Sequence, residues 1–272
     1  MQITLNDGHA IPQLGLGLWK TPEVETADIV AAAISTGCRH LDTASMYGNE
    51  AGVGQGLAAS GVPRAEVFVT TKVWNDAQGY DSTLSAARAS LSRLKLNYVD
   101  LYLVHWPAPR LDLYVETWRA LIALREQGLA KSIGVCNFCA DHLERIIAET
   151  GVTPAVNQIE LHPRFQQRAL RELHARYGIA TQSWAPLGRA RALDDPVILG
   201  LAGKHRRSPA QIVIRWHLDE GLIAIPKTAR RERLAENFDV FGFTLDPQDR
   251  AAIAGLDRAD GRVGPDPMTA AF

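Results

Sequence analysis

The chain has 272 residues, enough for one large α/β domain or two small ones, and such a length buries a full core without disulfide or metal staples. With 29 basic against 30 acidic side chains the net charge is −1, which removes any electrostatic ground for expecting nucleic acid or an anionic membrane as partner. Three cysteines, Cys38, Cys136 and Cys139, are too few and too odd in number for a disulfide framework and fit a reducing compartment. The first residues lack a basic segment followed by an apolar one, and no run nears the roughly 20 apolar residues of a membrane span, so a cytoplasmic protein is expected.

The chain opens on a hairpin signal. Segments 2–5 and 9–12 flank Asn6-Asp7-Gly8, where Gly8 supplies the positive φ of a tight turn. Apolar, β-branched runs then alternate with helical patterns. Strands are expected at 39–42, 67–72, 98–105, 131–135, 155–159, 179–184, 222–225 and 240–243, and their nearly continuous apolar character is that of strands buried on both faces. Helices are expected from Ser82, as cap, through Leu94, and over 114–127, 141–149 and 168–177. The last three run into Gly128, Gly151 and Gly178, the usual helix stop, and another helix opens at Ser208-Pro209 with proline at its first position. Strict alternation implies parallel strands joined by right-handed crossovers. Eight such units in this length predict a closed (β/α)8 TIM barrel with an N-terminal β-hairpin, one domain over 1–272, and its active site at the C-terminal rim of the strands. Only the glycine- and proline-rich tail, 261–272, reads as loosely structured.

Polar residues end most of these strands. Asp42, Lys72 and His105 close the first three; Asn137, Gln158 and Trp184 mark the next three, and Lys227 follows the seventh. Singly, an aspartate before Thr43 is an ordinary turn residue, a lysine after a strand a solvated one, and a histidine between Val104 and Trp106 a hydrogen-bonded core residue. A closed barrel gathers all of them at one mouth, and that joint placement makes them a candidate site.

The segment Gly37-Cys38-Arg39-His40-Leu41-Asp42-Thr43-Ala44-Ser45-Met46-Tyr47-Gly48-Asn49-Glu50 closely resembles the first signature of the aldo-keto reductases. Ile225-Pro226-Lys227-Thr228, followed by Arg233 and Glu236-Asn237, resembles their last. Between them, 103–107, 132–138, 157–163 and 184–188 resemble family segments in family order, so the likeness spans nearly the whole chain. It is strongest to bacterial members that reduce diketo sugar acids such as 2,5-diketogluconate.

The resemblance implies an NADPH-dependent reductase of aldehydes or ketones, working as a monomer on a small-molecule carbonyl substrate. Tyr47 would be the proton donor, with Asp42, Lys72 and His105 completing a catalytic tetrad. The physics is coherent: a free phenol is a weak acid near pKa ~10, and a cation such as Lys72 beside it lowers that value. Asp42 would hold Lys72 charged, and His105 would orient the carbonyl oxygen. For the cofactor, Trp184 offers a stacking face, while Asn137 and Gln158 carry amides able to pair with a carboxamide. Lys227, Thr228 and Arg233 form a cationic cluster suited to a ribose 2′-phosphate, which favours NADPH over NADH, and Arg230 would cover the adenine or add charge. Gly17, Leu18, Trp19, Asp42, Cys136, Pro186, Leu187, Gly188, Glu236 and Asn237 complete the implied cofactor contacts. Trp19, Met46, Tyr47, Trp74, His105 and Trp106 are the implied lining of the substrate pocket.

Three positions depart from the family pattern: Cys38 stands where an aromatic is usual, Cys136 where serine is common, and Trp184 where tyrosine is more frequent. Two motifs are discarded. Gly54-x-Gly56-x-x-Ala59 fits a dinucleotide fingerprint but follows no strand, and Cys136-x-x-Cys139 lacks the second pair that zinc requires, so no metal is expected. A short-chain dehydrogenase would need a tyrosine four residues before a lysine, whereas Ala51 stands four after Tyr47. A binding or structural role would be favoured by loss of a tetrad residue, and all four are present.

Overall fold

The computed structural model describes residues 1–270. Its first element is the hairpin: β1 (Gln2–Thr4) pairs antiparallel with β2 (Ala10–Pro12), and Gly8 turns at φ 87°. Leu5 and Ile11 pack against Phe68, Leu101, Leu103, Val156 and Ile223, so the hairpin plugs the lower end of the strands that follow.

Those strands are β3 (Leu16–Gly17), β4 (His40–Asp42), β5 (Phe68–Val73), β6 (Val99–Val104), β7 (Ala130–Cys136), β8 (Val156–Glu160), β9 (Ala180–Trp184) and β10 (Ile223–Ala224). They form one parallel sheet in sequence order, as strand–helix alternation demands. The sheet curls until its first and last strands approach. Parallel bridges join Leu14 to Ala224 and Gly17 to Lys227, and Gly15 N–H donates to Ala224 O at 2.9 Å. The result is an eight-stranded, barrel-like α/β fold.

The helices are α1 (Glu23–Ser35), α2 (Glu50–Ala59), α3 (Tyr80–Leu94), α4 (Tyr114–Glu126), α5 (Ala140–Thr150), α6 (Arg168–Tyr177), α7 (Pro196–His205), α8 (Pro209–Asp219), α9 (Arg231–Phe238) and α10 (Pro247–Ala254). The main core lies between the strands' outer faces and α1 to α5, around Trp118, Leu121, Phe138 and Ile146. None of these helices is long and apolar enough to cross a membrane. Gly151 and Gly178 end α5 and α6 in the left-handed conformation, and Ser208 with Gln211 forms a reciprocal cap on α8.

Two expectations need correction. Residues 240–243 are not the eighth strand. Val240 is buried with Leu14, Ile214 and Leu218 outside the sheet, while Phe241 is exposed; the run packs the flank of α8. The missing strand is β3, two residues long, whose brevity and glycine hid it behind the hairpin. Ser82 is not the cap of α3: the helix starts at Tyr80, and Ser82 Oγ donates back to Gln78 O at 2.7 Å. The glycine pattern at 54–56 does lie inside a helix, α2. A Cβ on Gly54 would stand 2.1 Å from Leu94 O, and one on Gly56 2.5 Å from Ala27 O. These glycines serve close helix packing, not a phosphate.

Candidate active site

Asp42 ends β4 and Lys72 lies near the end of β5, so the parallel register brings both to the upper rim. Lys72 Nζ contacts Asp42 Oδ1 at 2.5 Å, Thr43 O at 2.8 Å and the Tyr47 hydroxyl at 3.5 Å. An ammonium has three donors, and all three are thus occupied. Both ion-pair partners are sealed from water. Burial disfavours the charge on Lys72, but the Asp42 carboxylate overrides it, and the net shift is upward. Lys72 therefore stays an ammonium at any working pH.

Tyr47 sits in a single 3₁₀ turn, Ser45–Tyr47, held over Lys72 because Ser45 Oγ donates to Lys72 O at 3.0 Å. Asn49 locks the turn from behind: it accepts from Thr43 Oγ1 at 2.6 Å and donates to Leu18 O at 2.9 Å and Thr21 O at 3.2 Å. The phenol differs from expectation. Lys72 does pull its pKa down, but burial outweighs that pull and lifts it to about 12. Tyr47 is thus a protonated phenol. His105 follows β6, edge-on to Tyr47 at 5.6 Å and to Trp74 at 4.9 Å between centroids. Burial, then the charge of Lys72, holds its imidazole well below the usual range, and its Nδ1 is buried without a hydrogen bond. His105 is therefore neutral.

Beside these four residues lies an amide cluster. Gln158 Nε2 donates to Asp42 Oδ2 at 2.7 Å and so fixes the second carboxylate oxygen. Cys136 Sγ donates to Gln158 Oε1 at 3.6 Å and accepts from Asn137 Nδ2 at 3.1 Å. Asn137, at φ 64°, also donates to His105 O at 3.0 Å and accepts from Trp184 Nε1 at 2.8 Å. Its amino group is thereby spent within the protein, and only its carbonyl oxygen keeps a lone pair for a ligand. The thiol of Cys136 is pushed up by burial, so it stays protonated and acts as a donor. Cys38 donates to His40 O at 3.2 Å inside the core, and burial pushes its thiol up to about 12.

The implied phosphate residues collect elsewhere on the same rim. Gly17 bridges to Lys227, and Thr228 Oγ1 accepts from Arg230 N at 3.1 Å just before α9. Lys227, Arg230 and Arg233 are exposed, and none forms an ion pair within the described residues. Glu236 is half-buried, and Asn237 is buried on the inner face of α9. Pro186 is buried, Leu187 packs on two core clusters, and Gly188 turns at φ 56° against His162. The Leu18 side chain lies in the main core, which leaves only its backbone to meet a ligand.

At the mouth, Met46 is exposed, Trp74 is half-buried, and Trp106 is buried with its carbonyl accepting from Gln78 Nε2 at 2.7 Å. Trp19 is 39% exposed and lies between two cations, Lys20 at 4.4 Å and Arg189 at 5.6 Å. Arg189 comes from the loop after β9, so this contact spans the rim. Sequence reasoning missed Arg189 and Asn49. The first gave no local signal; the second, an asparagine after Gly48 before a helix, reads as an ordinary cap. Among the described residues no group of three or more His, Cys, Asp or Glu side chains could hold a metal ion.

Comparison with known proteins gives one consistent answer. Residues 13–258 match the model of the aldo/keto reductase family. An aldo-keto reductase of Mycolicibacterium smegmatis is 54% identical over 271 residues, covering 100% of this chain and 98% of that protein. The methylglyoxal reductase DkgA of Escherichia coli is 51% identical over 267 residues, covering 97% and 96%. A crystal structure of a Gox0644 variant in complex with NADPH superimposes with a TM-score of 0.97 at 56% identity, covering 100% of this chain and 99% of that one.

Proposed function

The chain belongs to the aldo/keto reductase family, and on that premise we propose that it is an NADPH-dependent oxidoreductase on a closed (β/α)8 barrel. It reduces aldehydes and ketones to alcohols at the C-terminal rim. Small 2-oxoaldehydes and keto sugar acids of the 2,5-diketogluconate kind are its proposed substrates, a class in line with the methylglyoxal reductases it resembles. A monomer in the cytoplasm is the proposed setting, in keeping with three free thiols.

One observation carries this reading: a buried ammonium, Lys72, touches both a carboxylate, Asp42, and a protonated phenol, Tyr47. The arrangement suits a group that must give up a proton and then survive as an anion. Tyr47 donates its proton to the carbonyl oxygen, and Lys72 stabilises the phenolate left behind. Asp42 keeps Lys72 in place. His105, a neutral imidazole, supports and orients the carbonyl oxygen without adding charge.

The residues fit NADPH. Three exposed cations without counter-ions, Lys227, Arg230 and Arg233, suit a phosphate; the half-buried indole of Trp184 suits a flat ring; the free lone pair on Asn137 suits an amide donor. When bound, that cofactor supplies the hydride that the carbonyl carbon accepts. The rim aromatics Trp19, Trp74 and Trp106, with Met46, exclude water around that carbon.

The test is direct. The purified protein, mixed with NADPH and methylglyoxal, should oxidise the cofactor stoichiometrically with alcohol formed. Tyr47→Phe should lose at least about a hundredfold in kcat while the Kd for NADPH stays within about twofold. Full turnover by Tyr47→Phe would assign the proton to another group.

A further inference from the structure

Glu160 ends β8 at the same rim, yet nothing in the proposed chemistry uses it. Its side chain is 1% exposed. Such a carboxylate needs several partners, and it has them. Val263 N–H donates to Oε1 at 2.5 Å, Gly264 N–H to Oε2 at 2.8 Å, and His162 Nε2 lies 3.2 Å from Oε1. Burial alone would raise the pKa of Glu160, but these contacts win and it is held below the usual carboxylate range. A permanent anion therefore grips two successive amides of the C-terminal tail, about a hundred residues away in sequence.

The tail is drawn into the site by that grip. A Cβ on Gly264 would stand 2.4 Å from Trp184 Cη2 and 2.8 Å from Glu160 Oε2, so only glycine lets the backbone lie on the indole edge. The approach is braced along the loop after β8. Arg258 N–H donates to Arg164 O at 3.1 Å, Gln166 N–H to Asp257 Oδ1 at 2.8 Å, and the Arg262 guanidinium lies 4.6 Å from the Phe165 ring centre. The reading of 261–272 as loose is thus corrected for its first residues, which lack regular structure but are pinned; residues 271–272 lie outside those described.

We propose that Glu160 is a positioning residue for substrate selectivity: its carboxylate clamps the amides of Val263 and Gly264 so that the tail forms a fixed wall of the carbonyl pocket against Trp184. The proposal deepens the functional reading above and rests on it. Glu160 touches no reacting atom, so its loss should alter how the substrate is held, not how the proton moves.

Glu160→Gln keeps the shape but puts an amino group where one tail N–H needs an acceptor. With methylglyoxal and NADPH, KM for methylglyoxal should rise about tenfold while kcat and the Kd for NADPH stay within about twofold. Hydrogen exchange at Val263 and Gly264 should accelerate by a similar factor. Gly264→Ala, which keeps the carboxylate group but crowds Oε2 and Trp184, should likewise raise KM for methylglyoxal and speed exchange at both amides, and serves where Glu160→Gln does not fold. Unchanged exchange at both amides in Glu160→Gln would overturn the clamp. Faster exchange with an unchanged KM would overturn the tail as pocket wall. If the wild-type protein turns over no carbonyl with NADPH, the functional reading and this wall fail together, while exchange still decides whether the clamp exists.

Discussion

Lys72 Nζ stands 2.5 Å from Asp42 Oδ1 with both side chains closed to solvent. Removing one member of such a pair strands the other in a medium that solvates it poorly. Lys72→Met should therefore destabilise the fold by about 3–5 kcal/mol in urea unfolding and abolish reduction. Adding Asp42→Asn should recover part of that stability, because the neutral amide leaves no uncompensated charge. A double variant as unstable as the sum of the two singles would mean that the pair does not act as a unit.

The phenol of Tyr47, lifted to about 12 by burial despite Lys72, sets the direction of pH dependence. Reduction needs the protonated phenol, which persists throughout the neutral range; oxidation of the alcohol needs the phenolate, which grows with pH. Carbonyl reduction should stay flat from about pH 6 to 8, while alcohol oxidation by NADP+ should rise across the same range. His105 adds no inflection there, since its pKa lies well below the ordinary value. Initial rates in both directions across buffers check this; a reductive rate falling through neutrality would count against Tyr47 as donor.

Three further histidines govern acid stability. His40, His174 and His217 are buried, and burial lowers each to about 4. His174 is typical: Nδ1 lies 2.8 Å from Thr181 Oγ1 and Nε2 accepts from Asn157 Nδ2 at 2.9 Å, a pattern only the neutral ring satisfies. An unfolded histidine takes its proton near pH 6.5, so from there down to about 4 the unfolded chain binds more protons than the folded one. Stability should be level above about pH 6.5 and fall steadily as pH drops towards 4. Urea midpoints at pH 7 and pH 5 measure it, and His174→Gln should flatten the slope in that window.

Much of this was legible in the chain because the chemistry of a barrel rim is written at strand ends. Asp42, Lys72 and His105 could be placed from three apolar runs alone, as parallel register does the rest. Two kinds of feature were not legible. Elements defined by tertiary closure, such as β3 and the bridge from Gly17 to Lys227, have no periodicity of their own, so the stronger apolar run at 240–243 reads as a strand in their place. Influences that depend on distance across the fold were also hidden. Neither the excess of burial over the pull of Lys72 on Tyr47, nor the reach of Glu160 to Gly264, has a local signature.

Lys227, Arg230 and Arg233 supply the last test, because they gather without an ion pair among the described residues beside one bridge, Gly17 to Lys227. Arg93 pairs with Glu50 and Lys204 with Asp246 across the surface. These three, like Arg231 among them, do not pair, although Glu232 and Glu236 are close in sequence. Unpaired like charges in one short segment repel each other and cost stability, which a dianionic phosphate would reverse by accepting charge-assisted hydrogen bonds. Lys227→Met or Arg233→Ala should therefore each weaken NADPH binding about tenfold, while NADH binding changes by less than about twofold. The loss should shrink as salt rises, since the group is exposed. Fluorescence titration with both cofactors at two ionic strengths decides the matter: an equal loss for NADH would mean that these cations hold some part of the dinucleotide common to both, and the preference for the 2′-phosphate would have to come from elsewhere.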